Sequence, residues 1–534
     1  MQIQKLLIAL GIILPLHVQG QNLLIKNAPA VIDTYVNEFN STDNELYKQD
    51  IANRDAADFL KRNIPFFECP DKSLEKTYYF RWWTYRKHIK KTPEGFVISE
   101  FLPNVPWAGK YNTISCAASH HFYEGRWLKE GEILSDYASF WFEGGGNPRL
   151  YSFGAADAIY NYYLVHNDKA LLRKLYSKLK ENFANWESEK RDSTGMFWQT
   201  DDRDGMEMSV SGQLSESGRG YRPTINSYMY GEVVALSKIA SLVGEQTEVN
   251  FYQKKADEIK DIINDQLWDK KANFYKVIPQ NGKMEFSHAR ELLGYTPWFY
   301  NLPLEEYSVA WKQLFDKKGF AATYGPTTVE QRCPDFRLSY EGHECQWNGP
   351  SWPYSTSMTL TAMANFLNNY TSDVITPKEY LALLKIYSNS HRLTTDKGDT
   401  ICWIDENLNP YTGDWISRTR LKSWSNGTWD NSKGGVERGK DYNHSSFCNL
   451  IISGLIGIHP QDDGSVIIRP LVPEGHWDYF CLDNVYCQGK MLTIIYDKKG
   501  TKYKKGKGFM VYVNNKRLLH VPNIQAERIN LMIH

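Results

Sequence analysis

Between residues 151 and 267, apolar side chains recur at helical spacing in two consecutive pairs of segments, and this recurrence limits the fold more than any other feature of the chain. Tyr151 to Glu189 reads as two helices divided at His166-Asn167-Asp168. Thr224 to Val243 and Glu248 to Leu267 read as a second pair, with a stop at Gly244. The unit is a helical hairpin, and it repeats. Further helices are expected over Pro303 to Lys317, Ser351 to Asn369, Pro377 to Asn389 and Tyr442 to Gly454. Hairpins closed into a ring form an α/α toroid whose rim loops meet over a central pocket. The loops here are long and rich in Gly, Trp and acidic residues, and loops of that length in a compact domain usually carry function.

After Gly457 the spacing changes to alternation, as in Ser465-Val-Ile-Ile-Arg-Pro, Leu492-Thr-Ile-Ile-Tyr-Asp and Phe509-Met-Val-Tyr-Val, separated by Asp-Gly, Lys-Gly and Asn-Asn turns. The expected organisation is a leader over residues 1–20, an N-terminal segment packing on the barrel over 21–75, a helical catalytic domain over 76–457 and a small C-terminal β-sheet module over 458–534. The leader follows from Lys5, the apolar run Leu6 to Val18 and the small residue Gly20, the order of a secretory signal peptide, so the mature chain is expected to start near Gln21. That predicts a secreted or periplasmic protein. No later segment approaches the roughly 18 uninterrupted apolar residues of a membrane span. No cysteine follows the run to take a lipid, the first being Cys69.

Lys plus Arg equals Asp plus Glu at 62 each, which removes the long-range field that nucleic acid or an anionic membrane would require. The 17 Trp and 34 Tyr supply rings that can stack on sugars, a use that competes with ordinary core packing. The 8 cysteines include no C-x-x-C pair, which argues against a structural zinc site of the usual spacing; Cys333 with Cys345, or Cys481 with Cys487, are near enough in sequence to consider as disulfides. No cofactor is required by any motif, and a structural calcium ion has no complete ligand loop to support it.

Three loops carry chemistry. Trp198-Gln-Thr-Asp-Asp-Arg-Asp-Gly-Met-Glu207-Met-Ser209 concentrates carboxylates after a hairpin. Trp403-Ile-Asp-Glu406-Asn-Leu-Asn-Pro-Tyr-Thr-Gly-Asp-Trp415 sets a carboxylate pair between aromatics. Gln346-Trp-Asn-Gly-Pro-Ser-Trp352-Pro-Tyr354 opens a helix, with Pro353 tolerated in its first turn. Each alone is an ordinary loop. Two acidic, Trp-flanked loops on one toroid are informative together, because glycoside hydrolysis needs two carboxyl groups facing one bond.

These residues resemble the (α/α)6-barrel glycoside hydrolases of the processing α-glucosidase and mannosylglycerate hydrolase group, family 63-like enzymes with a six-hairpin fold. Their base loop, Glu-Asn-Tyr-Asn-Pro-Leu-Thr-Gly, is similar to Glu406-Asn-Leu-Asn-Pro-Tyr-Thr-Gly413. Their Ser-Gly-Met-Asp-Asn-Ser is similar to Asp204-Gly-Met-Glu207-Met-Ser209, with Glu in place of the acidic Asp. Their Trp-Arg-Gly-Pro-x-Trp is similar to Trp347-Asn-Gly-Pro-Ser-Trp352, with Asn348 in place of an Arg that contacts substrate.

The resemblance implies an inverting hydrolase of an oligosaccharide or polysaccharide, and rim loops this long, which tend to close a pocket rather than leave an open groove, favour exo-action. Glu207 would be the general acid, with Asp204 as the alternative, and an ionised Glu406 would be the base that activates water. Asp201, Asp202 and Asp405 would orient substrate or tune the acid. Trp141, Glu143, Arg149, Tyr151, Trp347, Asn348, Trp352, Trp424 and His444 are expected as pocket walls. Two other classes compete. A polysaccharide lyase would draw on Tyr221-Arg222 or His120-His121, and a non-catalytic glycan-binding protein would keep the Trp residues without needing both Glu207 and Glu406.

Overall fold

The computed structural model describes residues 24–25, 27–417, 422–435 and 437–532; the expected leader lies outside them. Six inner segments form the ring: Ser115–Gly125, Ala155–His166, Pro223–Val243, Thr296–Phe299, Pro353–Asn369 and the π-helical Leu450–Leu455. Outer partners are Lys72–Lys87, Glu132–Glu143, Lys169–Lys190, Gln246–Gln266, the 3-10 segment Glu305–Leu314 and Pro377–Ser390. The protein is thus a mainly α structure, an α/α toroid with a C-terminal β module. No helix among the described residues is long and apolar enough to cross a membrane.

Local sequence explains which helix lies where. Lys169–Lys190 buries Leu171, Leu172, Leu175, Leu179, Phe183 and Trp186, one stripe at three- and four-residue spacing, and leaves Lys169, Lys174 and Lys178 exposed. Asp168 begins it by accepting the Leu171 N–H at 3.0 Å, directly after Asn167 ends the preceding helix at a φ of 56°. Pro223–Val243 is buried almost all round, as an inner helix must be, and stops at Gly244, whose φ of 95° suits only a residue without a Cβ.

Two helical expectations are corrected. Pro303 to Lys317 forms the shorter, tighter 3-10 segment Glu305–Leu314. In Tyr442 to Gly454 the first six residues are not helical, and the rest is largely π-helix. The cause is a long-range contact. Glu124, buried on the first inner helix, accepts the N–H groups of Phe447 at 3.0 Å, Cys448 at 2.8 Å and Asn449 at 2.8 Å, which closes the ring and fixes where the last helix begins. Glu124→Ala would orphan three buried donors at about 1–3 kcal/mol each. We expect a loss of at least about 3 kcal/mol, read as a lowered urea midpoint at unchanged m-value.

The β module is a five-stranded antiparallel sheet in the order Phe66–Glu68, Tyr479–Cys487, Lys490–Asp497, Gly508–Val513, Lys516–Val521, beside a three-stranded sheet of Ile458–Pro460, Ser465–Ile468 and Glu527–Asn530. Its edge strand Phe66–Glu68 comes from the N-terminal segment, with Phe67 opposite Leu482. Cys481 and Cys487 are buried thiols of one strand and are not joined to each other.

Candidate active site

Glu207 and Glu406, about 200 residues apart in sequence, line one cavity of about 280 Å³ at the loop-bearing rim of the toroid, together with Tyr151, Trp352 and His444.

The Glu207 loop is shaped by glycines and by Asp201. Gly205 has a φ of 74°, and a Cβ there would meet the Cys116 sulfur at 2.4 Å. Asp201 accepts the Asp202 N–H at 2.9 Å, its backbone oxygen takes the Met206 N–H at 2.8 Å, and its carboxyl group fills the space above Gly212 and Gly218. The loop is tied to the aromatic element by Trp347, whose backbone N–H donates to the Glu207 carbonyl at 3.2 Å. Burial within the body of the protein pushes the Glu207 carboxyl up to about 8, with Asp202, Asp201 and Glu100 adding like charge. At neutral pH it holds a proton.

Asp204 occupies a different setting. It is 1% exposed, does not line the cavity, and is held by Arg222 Nε at 2.8 Å and by the Thr224 hydroxyl. That is a buried ion pair anchoring the foot of the Glu207 loop.

Glu406 is 2% exposed. Its Oε2 accepts the Ser417 hydroxyl at 2.8 Å and lies 3.8 Å from the Cys345 sulfur, while its N–H is fixed by Asp405 Oδ1 at 2.8 Å. The residues after it build a tight hairpin. Asn407 bridges to the Glu344 carbonyl, Leu408 pairs with both Ser351 and Trp415, and Gly413, at a φ of 78°, passes against the Tyr324 ring. The motif Glu406 to Gly413 is therefore a support for one carboxyl group, and the Ser351 pairing links it to the third loop.

In that loop Trp347 and Trp352 stack at 4.4 Å and 17°, and the Trp352 indole donates to the Gln346 carbonyl at 2.9 Å. Trp352 faces the cavity; Trp347 lies behind it, and Asn348 does not line it. His444 packs on Tyr354 at 4.5 Å and Tyr442 at 4.9 Å. Three expected wall residues are elsewhere. Trp141 packs in an aromatic cluster with Tyr137, Phe140 and Phe153, Glu143 pairs with Lys174 at 2.7 Å, and Arg149 pairs with Glu189 at 3.1 Å. All three belong to the outer helix Glu132–Glu143 or the loop after it. Trp424 falls in the short helix Lys422–Ser425, and its side chain lies outside what the structure describes.

The residues that would serve a lyase are committed to structure. Arg222 holds Asp204, Tyr221 donates to Asp192 at 2.6 Å, and His121 lies between Tyr137 and the Asn443 carbonyl. Burial lowers His120 to about 3 and His121 to about 4, which leaves both rings neutral.

Sequence reasoning did not single out Glu100, Glu344, Lys433, Arg438 or Tyr442 as cavity walls. Glu100 accepts the Tyr442 hydroxyl at 2.5 Å across a separation of 342 residues, and Arg438 reaches Glu344 at 3.2 Å. Their only sequence signal is a charge set among aromatics, which many surface loops share.

Residues 110–445 match the family model of the mannosylglycerate hydrolase MGH1-like glycoside hydrolase domain, and residues 460–520 match the C-terminal domain of glycosyl hydrolase family 65. A solved structure described as a sialidase is 38% identical over 94% of this chain, with a TM-score of 0.85; the chain spans 44% of that protein's length. A family 63 mannosylglycerate hydrolase from Thermus thermophilus in complex with Tris is 13% identical over 70% of this chain and all of its own, with a TM-score of 0.51. An uncharacterized conserved protein from the same organism is 14% identical over 70% of this chain and 98% of its own, also at 0.51. At those identities the last two share the fold.

Proposed function

We propose the following reaction for a chain that belongs to the mannosylglycerate hydrolase MGH1-like glycoside hydrolase family: hydrolysis of a terminal glycosidic bond with inversion at the anomeric carbon. The observation that carries it is that Glu207 and Glu406 line one cavity, and the burial that pushes the Glu207 carboxyl up to about 8 suits that residue to keep its proton at neutral pH. Glu207 gives its proton to the glycosidic oxygen as the bond to the anomeric carbon breaks. A water molecule attacks that carbon from the opposite face and loses its proton to Glu406. The cycle closes when Glu406 releases a proton to solvent and Glu207 regains one.

Exo-action is supported by the cavity's size. About 280 Å³ falls below the roughly 300–1,000 Å³ that hold drug-sized ligands, so it suits a single sugar ring. A neutral ring is favoured over an acidic one. Among the described residues, four carboxyl groups, of Glu100, Glu207, Glu344 and Glu406, line the walls, and Lys433 and Arg438 both lie beside Glu344, at 3.6 and 3.2 Å. The name sialidase belongs to a chain of which this one spans 44%. Export, to the periplasm or beyond, is supported by the leader-like order of residues 1–20.

The test is a panel of neutral and acidic oligosaccharides, with the first anomer released followed by NMR. A neutral sugar appearing with inverted configuration supports the proposal. A retained anomer, an unsaturated uronate or release confined to sialosides overturns it.

A further inference from the structure

Apart from the catalytic cavity, one cluster of side chains among the described residues has the chemistry of a metal site. A ring nitrogen of His288, the sulfur of Cys333 and a carboxylate oxygen of Asp335 all lie within 4.8 Å of one another. His288 and Asp335 are exposed and face each other at 2.7 Å between Nε2 and Oδ2, while Cys333 is buried beneath them.

The backbone on both sides of these groups is cross-linked. Two segments run antiparallel, with Glu291 bridged to Val329, Leu292 N–H donating to the Thr328 carbonyl at 2.9 Å and Glu330 N–H to the Arg290 carbonyl at 3.1 Å. A side-chain pair between Arg290 and Glu330, at 2.8 Å, repeats the link. One segment presents His288. The other turns tightly, with the Phe336 N–H on the Cys333 carbonyl at 3.1 Å, so that Cys333 and Asp335 come from a single turn. Val210, Ala289 and Val329 form an apolar floor with Cys333, and Phe336 packs against it.

We propose that His288, Cys333 and Asp335 bind a zinc ion, with a fourth position left to water. Nitrogen, sulfur and oxygen donors on three side chains are the set zinc takes when a coordination site stays open, and a thiolate selects against magnesium and calcium. Bonds of about 2.0–2.3 Å in a tetrahedron put donors about 3.3–3.8 Å apart, so the His288 and Asp335 atoms must separate slightly. Both side chains are exposed and can do so. The Cys333 thiol passes its proton to solvent as the metal–sulfur bond forms. The site would brace the acid loop, because Val210 lies three residues after Glu207 and the Ser211 N–H donates to Glu291 at 3.1 Å.

The experiment uses chelator-treated full-length protein titrated with Zn2+ against a chromophoric competitor, and separately with Co2+. One equivalent should bind with a Kd below about 1 μM, and the Co2+ adduct should show a near-ultraviolet thiolate charge-transfer band. Cys333→Ser should abolish that band, and Cys333→Ser and His288→Ala should each weaken Zn2+ binding about 100-fold or more. Zn2+ should raise the Tm of the wild type alone. His288 is exposed, so His288→Ala separates loss of a ligand from loss of the fold. The proposal is overturned if no equivalent binds tighter than about 100 μM, or if binding is the same in both variants, which leaves an ion pair beside a thiol.

Discussion

Glu406→Gln should lower kcat by on the order of 10³-fold while leaving KM and Tm within the range of the wild type. The exchange keeps the size of the side chain and the Ser417 hydrogen bond to its oxygen, so packing around a residue that is 2% exposed changes little. What is lost is a group able to take a proton from the attacking water. Ser417 can orient the amide but cannot replace the base. The same assay distinguishes a supporting role, because a residue that only holds the Ser351–Leu408–Trp415 hairpin would move stability and KM before kcat. An external nucleophile supplies a second readout. Azide needs no base, so azide should restore turnover of a substrate with a good leaving group in Glu406→Gln and leave the wild type unaffected. Turnover of Glu406→Gln at the wild-type rate would remove Glu406 from the reaction.

The toroid is legible in the chain because its hairpins are written locally. The stripe in Lys169–Lys190 and the stops at Asn167 and Gly244 act within a few residues, and the period they set survives in the fold. What failed locally was decided across the ring. The entry to the last inner helix is set by Glu124, more than 300 residues earlier, and no periodicity in Tyr442 to Gly454 records that contact. The edge strand Phe66–Glu68 is three residues long, too short to alternate visibly, and its partner is Tyr479–Cys487.

The site follows the same division. The Glu207 and Glu406 loops could be picked out by composition, since each holds carboxylates between aromatics and a glycine turn. Trp141 and Arg149 were equally conspicuous by residue type, yet type does not say which side of a helix pair faces the axis, and both were taken up by packing and a surface ion pair. Glu100 and Glu344 had the opposite fault. Each looks like a surface acid, and only the closing of the ring brings it into one cavity with Glu207 and Glu406.

The second large effect concerns Glu207. An acid must carry its proton to work, so kcat/KM should be flat through neutrality and fall as pH rises through about 8, where the burial-raised carboxyl ionises. Glu207→Gln should remove that alkaline limb. It should also cost about 10²–10⁴-fold on a substrate whose leaving group needs protonation, and far less on one with an activated aryl leaving group. Stability moves in a linked way. The carboxyl sits near 8 in the folded protein against an ordinary 4.5, so between those values the folded state binds more protons than the unfolded one, and stability is highest below about 4.5 and declines as pH rises to about 8. Glu207→Gln lacks this term and should show the higher Tm at pH 8, with the difference shrinking toward pH 4.5. An inactive variant that is more stable at alkaline pH identifies a group held in its site against its own ionisation, as a proton donor must be. If the alkaline limb persists in Glu207→Gln, or if activated and unactivated substrates lose activity equally, the donor is another group, and Asp204, locked to Arg222, is the next to test by Asp204→Asn.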